Sequence, residues 1–346
     1  MSCASRRHDT EHAPVRFRTI SAVLAPSQYS LPVFTQTIPP PDITPWIKGN
    51  CGIEGVHHFE GPARGPHVVI TALMHGNEYA GAYALNALLS QKIRPESGKL
   101  SLIFLNLKAF EQFDPQHPTR SRFVDEDMNR LWCPDLLRSG HQSYEINRIR
   151  AVAPLITEAD RVLDLHSMFW DGPPLLLTGQ KQKNINHSRA VASALTSPPW
   201  VIQDAPCQSG LRLIDHPHFL SDNTQATACL FETGQHWSTA SQELACRAAA
   251  LFPQICGITS SDQRATPVAA NIKAPVAAVT HAVHARTDKF IFIKPFRNCD
   301  LIRRQGTLLA LDGGEEIRTP YDNCLLVIPN LRPVKNHIAL RLARAC

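Results

Sequence analysis

Two textures of hydrophobic patterning divide the chain. From Trp46 to about Gly257, short continuous apolar runs alternate with stretches where Ala and Leu recur at helical spacing. Val68–Leu73, Ser101–Leu107, Arg161–His166, Leu175–Leu177, Trp200–Ile202 and Ala226–Phe231 read as strands. Tyr79–Leu89, Gln142–Ala153 (with Pro154 near its end), Ile185–Leu195 and Ser241–Cys256 read as helices. Apolar strands alternating with helices predict an α/β fold, with a mixed, mostly parallel sheet covered by helices on both faces. Residues 111–142 break the pattern, being irregular and rich in Pro, Asp and Arg. So long an irregular stretch inside a compact domain is usually functional or disordered.

The second texture follows a polar, proline-containing linker at Thr259–Ala270. Val276–Val283, Phe290–Ile293, Gly306–Leu311 and Leu325–Ile328 are short β-like runs separated by turn residues such as Asp312-Gly313-Gly314. No comparable helical pattern occurs before the last dozen residues. The expected organisation is an N-terminal arm (1–45), an α/β catalytic domain (46–260) and a small C-terminal all-β domain (265–346) of ordinary domain size. The arm ends in Ile38-Pro39-Pro40-Pro41-Asp42, which favours extended chain packed on the body or against another subunit of a homo-oligomer.

Composition narrows the class. With 43% hydrophobic and 19% charged residues among 346, a sizeable core is expected and wholesale disorder is not. The net charge of +5 is mild and its Lys and Arg are scattered, which argues against nucleic acid as partner. The ten cysteines include no C-x-x-C pair and several sit in apolar runs, as expected for free thiols in a reducing compartment. The first eighteen residues lack an apolar signal region, and no apolar run approaches the length of a membrane span. A cytoplasmic protein with no membrane partner is the expectation.

The chemistry gathers at strand ends. His75-Gly76-Asn77-Glu78 follows one apolar strand, His166 ends another and Glu232 follows a third. Carboxyl ends of parallel strands share one edge of the sheet, where ligands bind. A lone His-x-x-Glu is common, and a His in a strand is more often a hydrogen-bonded core or rim residue. Three polar groups capping three apolar strands are costly unless partnered. His75, Glu78 and His166 make a His₂Glu set for one zinc ion, with a fourth position for water. Such an ion acidifies water and polarises a carbonyl. Glu232 is then the candidate general base. Asp164 shares a face with His166 and can orient it; the plain alternative is a buried acid at the sheet rim. In Ser121–Trp132, Arg122, Asn129 and Arg130 among the acids Asp125, Glu126 and Asp127 suit a carboxylate clamp. On spacing alone, a solvated loop with local salt bridges is the better reading.

These residues resemble, in order, the motifs of the succinylglutamate desuccinylase/aspartoacylase family, a branch of the zinc carboxypeptidase-like hydrolases. The segments are His75–Glu78, Arg122 with Asp127-Met128-Asn129-Arg130, Asp164–Ser167 and Phe231–Gly234, within roughly residues 65–240. The resemblance implies zinc on His75, Glu78 and His166, with Glu232 as base. It implies that Arg122 polarises the scissile carbonyl, that Asn129 and Arg130 bind the α-carboxylate and that Asp127 shapes the loop. The implied reaction is hydrolysis of an N-acyl amino acid. Aspartoacylases carry a further Arg about ten residues before the base; here Ser221-Asp222-Asn223 stands there, and Arg212 is the nearest arginine. A dicarboxylic substrate thus lacks its expected partner. Tyr321 is the candidate for a tyrosine the aspartoacylase branch draws from its C-terminal domain, with a surface turn residue as the plainer reading. His57, His58, His216, His218, His281 and His284 read as structural or surface; Trp170, Asp171, His236 and Trp237 as pocket rim. Rival functions are a metallocarboxypeptidase with the same metal and base, and a non-catalytic acyl-amino-acid-binding protein, which would need no base.

Overall fold

A computed structural model describes residues 31–32, 36–206, 210–260 and 273–346. In chain order the elements are β1 (Val56–Glu60), β2 (Ala63–Ala72), α1 (Ala80–Ser90), β3 (Ser97–Phe104), α2 (Leu107–Glu111), α3 (Pro134–Arg138), α4 (Tyr144–Thr157) and β4 (Arg161–Met168). There follow β5 (Leu175–Thr178), α5 (Gln182–Ser193), β6 (Trp200–Gln203), α6 (Pro217–Leu220), β7 (Thr227–Gln235) and α7 (Thr239–Ile255). The remainder is all strand: β8 (Val276–His284), β9 (Phe290–Phe292), β10 (Leu301–Ile302), β11 (Leu308–Asp312), β12 (Glu315–Arg318), β13 (Cys324–Val327) and β14 (Ile338–Ala345).

Among the described residues the main sheet runs β1-β3-β2-β4-β7-β5-β6-β8-β14-β13-β10, and β12-β11-β9 form a second, small sheet. The central pairs β3–β2, β2–β4 and β4–β7 are parallel, as are β5–β6 and β6–β8, while β5 meets β7 antiparallel. The mixed, mostly parallel α/β sheet with an all-β C-terminal region is therefore the observed fold. Because β6 pairs with β8, one sheet runs unbroken from the α/β part into the β part.

Burial alternates with strand periodicity. Val68, Ile70 and Ala72 of β2 with Leu163 and Leu165 of β4 face α1, α5 and α7 in one apolar core. Val69, Val162, Ala228 and Leu230 face the opposite core, which takes Ile146, Ile149 and Val152 of α4. By the same alternation, Asp164 and His166 on β4 and Glu232 on β7 belong to the α4 face. Strand β1, absent from the sequence reading, is short, partly polar and pairs only along the sheet edge. The irregular stretch 111–142 carries only single turns and the short α3. The end of the arm packs on the body: Ile38 is buried, and the Tyr79 and Tyr83 hydroxyls donate to the Ile38 and Pro39 carbonyls. The body of the predicted linker lies outside the described residues. The described cysteines are all free thiols; Cys229 and Cys324 are buried, Cys51 and Cys346 are exposed, and Cys133, Cys246, Cys256 and Cys299 are partly buried.

Candidate active site

The turn after β2 is built by close approach. Leu73 leaves the strand at φ 60, a left-handed conformation unusual for a branched side chain. A Cβ on Gly76 would lie 2.3–2.5 Å from backbone atoms of Ala109, Phe110 and Ser121, so only glycine fits there. The Gly76 N–H donates to the Arg122 carbonyl (3.1 Å), which ties this turn to the loop carrying Arg122.

His75, Glu78 and His166 converge, each at most 3% exposed, with one candidate ligand atom from each within 4.8 Å of the others. His75 Nδ1 lies 2.7 Å from Glu78 Oε1, and His166 Nδ1 lies 2.9 Å from Glu78 Oε2. The far ring nitrogens meet other carboxylates: His75 Nε2 is 2.9 Å from Asp127 Oδ1, and His166 Nε2 is 2.9 Å from Asp164 Oδ2. Asp164 in turn accepts from the Thr71 hydroxyl at 2.6 Å. Asp164 can accept a proton carried on His166 Nε2, whereas His75 Nε2 meets both Asp127 and the Arg122 Nη2 donor (2.9 Å). Both Nδ1 atoms face the Glu78 carboxylate, and such a contact holds only with a shared cation, a proton or a metal ion, between nitrogen and oxygen. The donor set therefore fits a divalent ion of the kind His₂Glu sites hold, with carboxylates orienting both imidazoles from behind.

Charge follows from this crowding. Burial alone would raise the Glu78 carboxyl, but His75 and His166 outweigh it and hold Glu78 well below its ordinary range. Burial opposes charge on His166, yet Asp164 and Glu78 keep it well above 6.5. Against burial, His75 and Arg122 pull Asp127 far down. Metal binding here must displace the proton on His166, since a ligating imidazole is neutral.

Glu232 stands beside His166 in the parallel β4–β7 register. Burial, with the nearby Glu78 charge, pushes its carboxyl up to about 8. Its Oε2 is buried without a hydrogen-bond partner. Arg122 lies across the cluster, with Nη1 3.1 Å from Glu78 Oε1 and Nη2 3.2 Å from Asp127 Oδ2; its side chain is 36% exposed. Asp127 also accepts from the Asn129 N–H (3.0 Å), and Arg130 Nη1 donates to the Asn129 carbonyl (2.7 Å). All nine residues singled out in the sequence thus come to one sheet edge and its loop.

Two other candidates lie elsewhere. Tyr321 is neither in this cluster nor a surface residue: it is buried in the C-terminal core, bonded to Thr280 with Arg344 over its ring. Arg212 is buried between Asp204 and Asp215. Of the remaining histidines, His57 and His218 bond backbone carbonyls, and His58 bonds Ser101. His236 is buried on Ser167 Oγ (2.8 Å), and Trp237 Nε1 donates to the Asn77 carbonyl (3.1 Å), one residue from Glu78.

Sequence reasoning missed Glu145. This fully buried acid of α4 accepts from the N–H groups of Val124, Asp125 and Glu126 and from Asn106 Nδ2, and so holds the loop that presents Arg122 and Asp127. In the sequence it is an ordinary first-turn acid; only the loop folding onto it reveals the role. A cavity of about 380 Å³ lies past the ends of β4 and β7, lined by Leu31, Pro32, Gln36, Pro115, Pro118, Trp170, Trp237 and Arg332.

The model of the succinylglutamate desuccinylase/aspartoacylase catalytic domain matches residues 64–255, more than half of the chain. A protein described as "Probable aspartoacylase" from Parasynechococcus marenigrum (strain WH8102) is 33% identical over 106 residues, 29% of this chain. The chain thus covers only about a third (33%) of that relative's length. A succinylglutamate desuccinylase/aspartoacylase from Rhodobacter sphaeroides has a TM-score of 0.63 at 15% identity, over 84% of this chain and 88% of that one. The succinylglutamate desuccinylase from Vibrio cholerae has a TM-score of 0.61 at 16% identity, over 85% and 86%. At such identities the two structures establish a shared fold. The extent of the catalytic-domain match, over the span that holds every residue of the cluster, establishes more: this chain belongs to the succinylglutamate desuccinylase/aspartoacylase family, whose members are hydrolytic deacylases.

Proposed function

We propose that this protein hydrolyses the amide bond of a small N-acyl amino acid, with one zinc ion on His75, Glu78 and His166 and Glu232 as general base. The observation that carries this reading is the buried convergence of His75 Nδ1 and His166 Nδ1 on the two oxygens of Glu78, at 2.7 and 2.9 Å. Family membership supplies the class of reaction.

The ion, when bound, supplies an acidified water and a Lewis acid for the acyl carbonyl. Glu232 takes the proton of the attacking water and returns it to the amine nitrogen as the C–N bond breaks, leaving a free amino acid and a carboxylic acid. An unpartnered buried carboxylate oxygen suits that task, because nothing competes for the proton. Arg122 donates to the acyl oxygen as charge builds on it. Asn129 and Arg130 take the α-carboxylate, the guanidinium offering a planar fork. Asp127 and Asp164 keep His75 and His166 in one tautomer and orientation. Residues 265–346 act as a C-terminal domain that rims the mouth, a reading supported by the bond from Trp170 Nε1, two residues past β4, to Asn330 Oδ1 (3.2 Å). That rim limits substrate length.

The test joins metal analysis to a panel of N-acetyl, N-succinyl and N-formyl amino acids with dipeptides as controls. The expected result is about one zinc per chain and cleavage within the acyl panel. Glu232→Gln should keep the metal and lower kcat by about 10²–10⁴-fold. Unimpaired hydrolysis by that variant refutes the base assignment, and cleavage of dipeptides alone moves the protein to the peptidases.

A further inference from the structure

We propose that Arg212 is a positioning residue for the substrate clamp, acting through the strut Gly210–Leu213 and held in place by Asp204, Asp215 and Arg341. This rests on the reading of Asn129 and Arg130 as the α-carboxylate site.

Arg212 is 3% exposed and its donors are committed. Nε and Nη2 reach the two oxygens of Asp215 at 2.6 and 3.0 Å, and Nη1 reaches Asp204 Oδ2 at 2.7 Å. With Nη2 also on the Ala205 carbonyl (3.3 Å), four of its five N–H groups are engaged within the protein. Asp204, just past β6, also takes Arg341 Nε of β14 at 3.0 Å. Two acids and two guanidinium groups therefore balance in charge, and a planar fork between two fixed carboxylates has one geometry.

That geometry is passed to the clamp. The Leu213 N–H donates to Asn129 Oδ1 at 3.1 Å. Its amide oxygen thus taken, Asn129 has its NH₂ end to donate to a carboxylate. Beside it, the Trp132 N–H donates to the Leu211 carbonyl (3.1 Å), and Leu131 and Leu211 form a parallel bridge. Gly210 fits under the next clamp residue: a Cβ there would lie 2.1 Å from the Arg130 carbonyl oxygen. One short segment thus sets the amide orientation of Asn129 and the backbone of Arg130, and Arg341 links the C-terminal strands to both.

The experiment compares the best N-acyl amino acid of the panel with its α-carboxamide, on the metal-loaded wild type and on Arg212→Lys, which keeps the charge and loses the fork. Arg341→Gln, at the outer end of the network, is the milder second variant. The wild type is expected to prefer the acid. In Arg212→Lys, KM for the acid should rise by up to about 10²-fold with kcat little changed, while the carboxamide is cleaved as before. Arg341→Gln should shift KM the same way by less. A folded Arg212→Lys that keeps the wild-type preference overturns the strut, as does an equal loss on both substrates, which marks a merely structural role. A wild type that cleaves acid and carboxamide alike overturns the clamp reading itself, and the strut with it.

Discussion

Two buried charge clusters lie a short loop apart and are finished differently. Around Arg212, each guanidinium donor named above meets a carboxylate or carbonyl, and Asp204 and Asp215 are matched by Arg212 and Arg341. Around Glu78, the arrangement is different. Asp127 and Asp164 lie behind the two imidazoles, whose Nδ1 atoms, with Arg122 and the Ser167 N–H, converge on the Glu78 oxygens, while Glu232 keeps an oxygen without a partner. Buried polar groups normally find partners. A cluster whose charges match one another reads as scaffold, and one that gathers ligating groups around a buried carboxyl with an unpartnered oxygen reads as a site.

The comparison can be broken at the closed cluster first. Asp215→Ala leaves the buried Arg212 guanidinium with Asp204 alone, and loss of one member of a buried pair costs about 3–5 kcal/mol. Urea unfolding should show a loss of unfolding free energy of that size; a loss below about 1 kcal/mol, the range of exposed pairs, would mean the network is not closed in solution. At the open cluster the expected effect is on metal. Asp164→Asn removes the carboxylate behind His166 and should weaken metal affinity by about 10–100-fold, read by competition with a chelator. Unchanged affinity would deny Asp164 its orienting part.

The finest contrast is in pH. In metal-free protein the Glu232 carboxyl titrates near 8, against an ordinary 4.5. Between those values the folded protein holds a proton that the unfolded chain has released. This contribution is therefore full below 4.5, is lost as pH rises through 8, and changes no further above. Glu232→Gln has no such loss, so its stability relative to the metal-free wild type should grow from pH 5 to pH 8 and then level. A difference that stays constant with pH would show that Glu232 ionises normally.

Much of this was legible in the chain. Apolar runs such as Val68–Leu73 and Ala226–Phe231 are long enough, and regular enough against the Ala-rich helices, to announce a buried sheet. The polar residues that end them stood out because hydrophobic strands rarely stop in His or Glu. β1 was not legible, since an edge strand with two histidines and a glutamate carries no apolar alternation. Nor was the reach of the sheet through β8 into the C-terminal strands, because a pairing of β6 with β8 across α7 leaves no local mark.

What the sequence determined by itself was the set of strand-end groups, His75, Glu78, His166 and Glu232; the loop of Arg122 and Arg130 was singled out by the family resemblance, since its spacing alone reads as a solvated loop. Period and composition are local properties, and they suffice for that. What only the tertiary structure decided was which buried charges are spent and which are available. Arg212 and Arg122 look alike in sequence; one is enclosed by two aspartates, and the other lies over the cluster with about a third of its side chain open. Tyr321 likewise became a core residue. Partnering depends on groups far apart in the chain, and only folding brings those groups within hydrogen-bond distance.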